Sequence, residues 1–150
     1  MQDRFKWRIF EYETKEMIEL DAVGYSSFDP FAEGKSRLIM IPSGLGNTFH
    51  YNKQYYYDND KFSEPMQRTG LKDKNGKLIY EGDILKAYFV NSDTGKTCFE
   101  YVPVGYDEEK LAFYTGKKFR ALFAEGYFIP EEYEIVGNIY ENPELLEDNE

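Results

Sequence analysis

Asn75-Gly76 lies in the middle of MQRTGLKDKNGKLIYEGDILK, residues 66–86, and this dipeptide admits few backbone geometries. A two-residue type I′ hairpin turn needs positive φ at both central positions, which Asn and Gly adopt at the least cost. The pair therefore predicts a tight hairpin with Lys74 and Lys77 at its shoulders. Gly82-Asp83 comes next: glycine relieves a close backbone approach, and Asp83 accepts a local hydrogen bond before the run DILKAYFV begins. A turn, a short strand, a glycine corner and a longer strand make one β unit.

The rest of the chain has the same texture. Aromatic residues are 18% of the 150, with 14 Tyr and 12 Phe, and Gly recurs between short runs of Ile, Val, Tyr and Phe. This is strand composition punctuated by turns. Strands are expected at 5–12, 16–22, 37–41, 78–80, 83–90, 97–104, 110–114, 119–124 and 133–140. No segment repeats apolar residues at i, i+3, i+4 and i+7 over three turns, so long amphipathic helices are not expected. ETK (residues 13–15) links the first two strands as a hairpin, and SSFDPFAEGKS and IPSGLGNTFHYNK are loops on either side of RLIMI.

NKQYYYDNDKFSEP marks the best internal boundary, dividing the chain into 1–64 and 65–150. The expected fold is mainly β: a small SH3-like or OB-like barrel of about five strands in the C-terminal half, with an N-terminal β region packed on it. The alternative is α+β, with helices in the poorly patterned 42–66. At the C-terminus, PELLEDNE suits one helical turn begun by Pro143. Leu145 and Leu146 are expected to pack back, whereas Asp148, Asn149 and Glu150 have nothing apolar after them and should stay mobile.

Composition excludes several functions. One cysteine, Cys98, and one histidine, His50, rule out an intrachain disulfide and Cys/His zinc sites. No apolar run approaches a membrane span, and MQDRFKWRIFEYE has acids where a signal peptide is apolar, so a cytoplasmic protein without cofactor or membrane partner is expected. The net charge of −10 disfavours nonspecific nucleic-acid binding. Residues 131–150 carry −8 of it and leave −2 for the other 130 residues, a nearly balanced body with an acidic end rather than a carboxylate-covered face.

Together with EIVGNIYENPELL and the opening FKWRIFEYETKEMI, the 66–86 stretch resembles the YopX family of phage and prophage proteins. The anchors run from near residue 5 to residue 146. The resemblance implies a small phage-encoded protein in the cytoplasm of a bacterial host, and it implies no particular activity. WRIFEYE departs from the family's FRAWD-like run, so no role is carried to Trp7.

Each chemically suggestive residue also has an ordinary structural reading. Asp83 beside Glu81 resembles an acid/base pair, but useful pairs need separated pKa values, and a turn aspartate is the favoured reading. His50 lies in a polar loop, and Cys98 in TCFEYV reads as a small core residue. GLGN (44–47) and EGKSR (33–37) lack the strand, helix and full glycine set of a phosphate loop. GKKFR places Lys117, Lys118 and Arg120 among Phe113, Tyr114 and Phe119, a pattern able to grip single-stranded nucleic acid if Lys72, Lys74 and Lys77 join it; solvated hairpin lysines are the favoured reading. Tyr55, Tyr56 and Tyr57 alternate in an extended segment, so one reading brings at least one ring to the surface, where tyrosines anchor interfaces; the equal alternative is that the two halves of the chain cover both faces.

The favoured function is an accessory protein that acts by binding, to other copies of itself and to a host or phage protein, through Tyr55, Tyr56, Tyr57, Lys117, Lys118 and Arg120. A nucleic-acid-binding module and a carboxylate enzyme are the alternatives, and no catalytic, cofactor-binding or metal-binding residue is assigned.

Overall fold

The structure is a computed structural model that describes residues 6–26, 37–43, 55–56, 58–109, 111–115, 120–121 and 133–149. Its contacts divide the chain into two units, Met1–Gln67 and Arg68–Glu150. The fold is mainly β, and among the described residues no helix is long and apolar enough to cross a membrane.

In the first unit, β1 (Trp7–Glu11), β2 (Glu16–Ser26), β3 (Arg37–Pro42) and β4 (Tyr55–Tyr56) form antiparallel neighbours in the order β4-β3-β2-β1. The 13–15 link is the expected hairpin, with Lys15 at φ 61° and its amide donating to Glu11 O. Register decides the core. Trp7 pairs with Leu20 and Ile9 with Ile18, which puts alternate apolar residues on one face. The ladder then slips between Leu20 and Ala22, and this extra residue turns Val23, rather than Ala22, onto the face of Leu20, opposite Met40. Ile9, Leu20, Met40 and Phe62 are the buried cluster, with Trp7, Ile18 and Val23 against it. Ser63 ties the 58–63 segment to β1: its amide donates to Phe10 O, and its hydroxyl accepts from Phe10 N at 2.9 Å.

The second unit contains β6 (Leu78–Tyr80), β7 (Asp83–Val90), β8 (Thr97–Asp107), β9 (Ala112–Thr115), β10 (Arg120–Ala121) and β11 (Glu134–Asn138), then a 3-10 helix, Pro143–Asn149. A further strand, β5 (Met66–Lys72), gives Arg68 and Lys72 to β6, while Met66 and Gln67 pair with Arg8 and Trp7 of β1 in the first unit. Five strands run β10-β9-β8-β7-β11. β8 pairs with β7 over 97–103 and with β9 over 104–107, so one strand serves two neighbours in succession. The core is Ile79, Leu85, Ala87, Val102, Val104 and Tyr133.

Two expectations are corrected here. The SH3-like or OB-like barrel is not formed, because among the described residues no sheet closes. Closure needs β11 to pair with β10, yet the free edge of β11 is taken up by the 73–77 hairpin: Lys74 N donates to Tyr133 O, and Ile135 N donates to Asp73 Oδ2 at 3.1 Å. The Asn75-Gly76 turn is also not type I′, since Gly76 alone in it has positive φ, 78°. Gly76 N donates to Asp73 O, and Asp73 N to Lys77 O. Lys74 and Asn75 therefore form a type I turn that glycine completes in the left-handed region.

β5 was not expected, because Gln, Arg and Gly are poor strand formers; Gly70, at φ 86°, sits where the β5–β6 register slips, as in a bulge. For the α+β alternative, 44–54 and 57 of the 42–66 region lie outside the described residues. The C-terminal helix extends to Asn149, further than the one turn expected, with Leu145 and Leu146 half-buried.

Gly76→Val is expected to destabilise the protein by about 1 kcal/mol or more, because a β-branched side chain strains positive φ. A denaturant midpoint equal to that of the native chain would show that this turn does not need glycine.

Asp73 sets a pH dependence. Burial raises its pKa, but the N–H groups of Ile135, Lys77 and Asn75 outweigh burial and hold it below the ordinary 3.8. A folded pKa below the unfolded one gives stability that is complete above the unfolded value and is lost as pH falls through the folded one. Asp73→Asn should therefore cost about 1–3 kcal/mol at neutral pH. In urea titrations that deficit should shrink below about pH 3.8; a deficit constant with pH would mean that the charge is not what these amides bind.

Candidate functional site

Alternation along β7 and β8 sorts their side chains onto two faces. Leu85, Ala87, Val102 and Val104 point inward and are buried. Lys86, Tyr88 and Val90 point the other way, and the ladder sets them opposite Tyr101, Phe99 and Thr97. On this outer face Val90 is 66% exposed and Phe99 50%. The Phe99 ring lies between Tyr88 at 6.3 Å and Tyr101 at 5.5 Å, both tilted by nearly 60°. Three rings thus make an open row across two strands.

Two lysines border the row. The Lys86 ammonium sits 4.1 Å from the Phe99 centroid and 5.4 Å from that of Tyr88. Lys74 reaches Tyr88 from the hairpin, 5.7 Å from its centroid, and pairs with Glu134 of β11 at 2.5 Å. The hydrogen bond to Glu134 raises the Lys74 pKa above its ordinary value. Lys86 differs: Glu134 stands opposite it in the β7–β11 ladder but pairs with Lys74, and among the described residues the contacts of the Lys86 ammonium are ring faces. A cation held against π faces keeps its attraction for an anion. Such a face suits a ligand that combines apolar or aromatic surface with negative charge.

Among the described residues no group of three or more His, Cys, Asp and Glu is placed to hold a metal ion. The buried carboxylates serve the backbone. Asp73 Oδ1 accepts from Asn75 N and Lys77 N, and Asp83 Oδ2 accepts from Tyr80 N at 2.8 Å across the Gly82 corner. Asp83 is thus the turn aspartate of the favoured reading. Cys98 is half-buried, with its thiol toward Lys96 O.

Of the interaction residues expected from sequence, Tyr55 and Tyr56 form β4 opposite Met40 and Ile39, and Arg120 lies in β10 opposite Thr115. Tyr57, Lys117, Lys118 and His50 lie outside the described residues. The outer-face row was missed. Its signal was the period of two in LKAYF and CFEY, where Lys86 and Tyr88, and Phe99 and Tyr101, fall on one parity. Aromatic residues on both parities of these strands concealed which face was outer.

A family model described as YopX protein matches residues 6–147. Among solved structures, protein EF1440 from Enterococcus faecalis is similar at 24% sequence identity and a TM-score of 0.48, covering 94% of this chain and 96% of that one. No curated protein matches the chain.

The two faces are separable by substitution. Leu85→Ala, in the buried core, should cost about 2–5 kcal/mol, whereas Phe99→Ala on the outer face should cost about 1 kcal/mol or less. Equal losses in chemical denaturation would place Phe99 in the core.

Proposed function

From the premise that the chain belongs to the YopX family of phage and prophage proteins, we propose that it is an accessory protein that acts by binding, and that its first partner is another copy of itself. The outer face of β11, β7 and β8 is the binding surface. The observation that carries this reading is the row Tyr88–Phe99–Tyr101, with Phe99 half-exposed. Aromatic residues are enriched at interface centres, where they bring large area at small entropic cost. The engagement of Asp73 and Asp83 with backbone amides supports binding over carboxylate catalysis.

Sedimentation velocity at tens of micromolar tests the proposal. A dimer or larger closed assembly is expected for the native protein, and monomer for Phe99→Asp with its thermal transition retained. A native chain at the monomer mass would remove self-association.

A further inference from the structure

The interaction surface has its complement on the same chain. Residues 131–150 carry −8, and the 3-10 helix Pro143–Asn149 has no basic residue in its last turn. A 3-10 helix has three residues per turn, so side chains at i and i+3 eclipse. Glu144 and Glu147 therefore stack on one side, and both are exposed. Among the described residues neither is paired with a cation. Exposed Ile139 precedes them, giving the segment apolar surface next to its charge.

We infer that the acidic segment 139–149 of a second copy seats on the Lys86–Tyr88–Phe99 face, with Glu144 and Glu147 at the ammonium groups that flank Tyr88. This rests on the self-association proposed above and names the segment that makes the contact. Both ammonium groups border the one Tyr88 ring, 5.7 and 5.4 Å from its centre, and the two glutamates lie on one side of their helix, so charge meets opposite charge on a single face. Lys86, whose ladder neighbour Glu134 is paired with Lys74, gains an ion pair of its own, and Lys74 adds a second carboxylate to Glu134. The apolar contact of Ile139 with Phe99 and Val90 supplies affinity, while the charges set register and on-rate. In a two-fold dimer each tail meets the partner's face, so the contact is made twice. The occupant is thus a protein segment and not nucleic acid.

Charge exchange in the full chain tests this by sedimentation velocity and by binding to a fluorescent oligo-dT. Lys86→Glu alone, and Glu144→Lys with Glu147→Lys, should each weaken self-association about tenfold or more. Of the two chains that combine Lys86→Glu with Glu144→Lys or with Glu147→Lys, one should recover it, because the sign is then reversed on both sides of the Lys86 contact while Lys74 keeps its glutamate. Native association should also weaken as salt rises from about 50 to about 500 mM. All substituted positions are exposed or half-buried, and retained thermal transitions confirm folding.

Dissociation by Phe99→Asp without loss in the charge variants, or without recovery in either combined chain, would leave self-association standing and overturn the tail assignment. A native monomer would remove both. Oligo-dT bound by the native chain at low salt and released by Lys86→Glu would assign the face to nucleic acid and overturn the inference.

Discussion

The Asp73 carboxylate holds the second unit together at its least regular point. One oxygen accepts from Asn75 N and Lys77 N, which shapes the hairpin turn, and the other accepts from Ile135 N. A single buried charge thereby joins a local turn to a strand 62 residues away. Satisfying each of these N–H groups matters because a buried donor left without an acceptor loses its full hydration. Lys74 N completes the joint by donating to Tyr133 O, beside a tyrosine that is 1% exposed. The same geometry brings the Lys74 side chain to Glu134 and the Tyr88 ring, so the border of the outer face is built by this polar joint.

A second joint lies at Gly82. Its amide donates to Val104 O, and its carbonyl accepts from Ile139 N. The β6–β7 corner is thus linked both to the point where β8 changes partners and to the residue that follows β11. From there Asn138 Oδ1 accepts from Tyr140 N and Glu141 N, turning the chain toward the C-terminal helix. The binding face and the acidic segment proposed to seat on its counterpart are therefore held by the same set of strands. Neither depends on a long ordered loop.

In both units local hydrogen bonds extend the pairing beyond the main ladders. In the first, Ser63 presents a hydroxyl and an amide to Phe10, and the isolated bridge between Glu11 and Phe62 continues the pairing along β1. In the second, the Asp73 hairpin caps β11. The capped edge of β11 is protected from pairing with other chains, which accords with the proposal that association uses a side-chain face rather than sheet extension.

Local chemistry alone determined a good deal here. Asn75-Gly76 marked a hairpin, Gly82-Asp83 a corner, and the runs 78–80 and 83–90 coincide with β6 and β7, because turn residues and β-branched or aromatic runs act through nearest neighbours. The YopX resemblance, resting on MQRTGLKDKNGKLIYEGDILK and EIVGNIYENPELL, was likewise legible. Three things were decided only by tertiary structure. Asp73 took the amide of Ile135, 62 residues away, besides the local amides of Asn75 and Lys77, at a turn closed by Gly76 alone in positive φ rather than a type I′ turn. β5 formed despite Gly70 because β1 and β6 supplied partners for its backbone. The Tyr88, Phe99 and Tyr101 row became an outer face only once the register paired Leu85 with Val102 over the core. The physical reason is common to all three: a backbone amide or a strand face is assigned by partners that lie far away along the chain, and composition carries no record of which partner arrives.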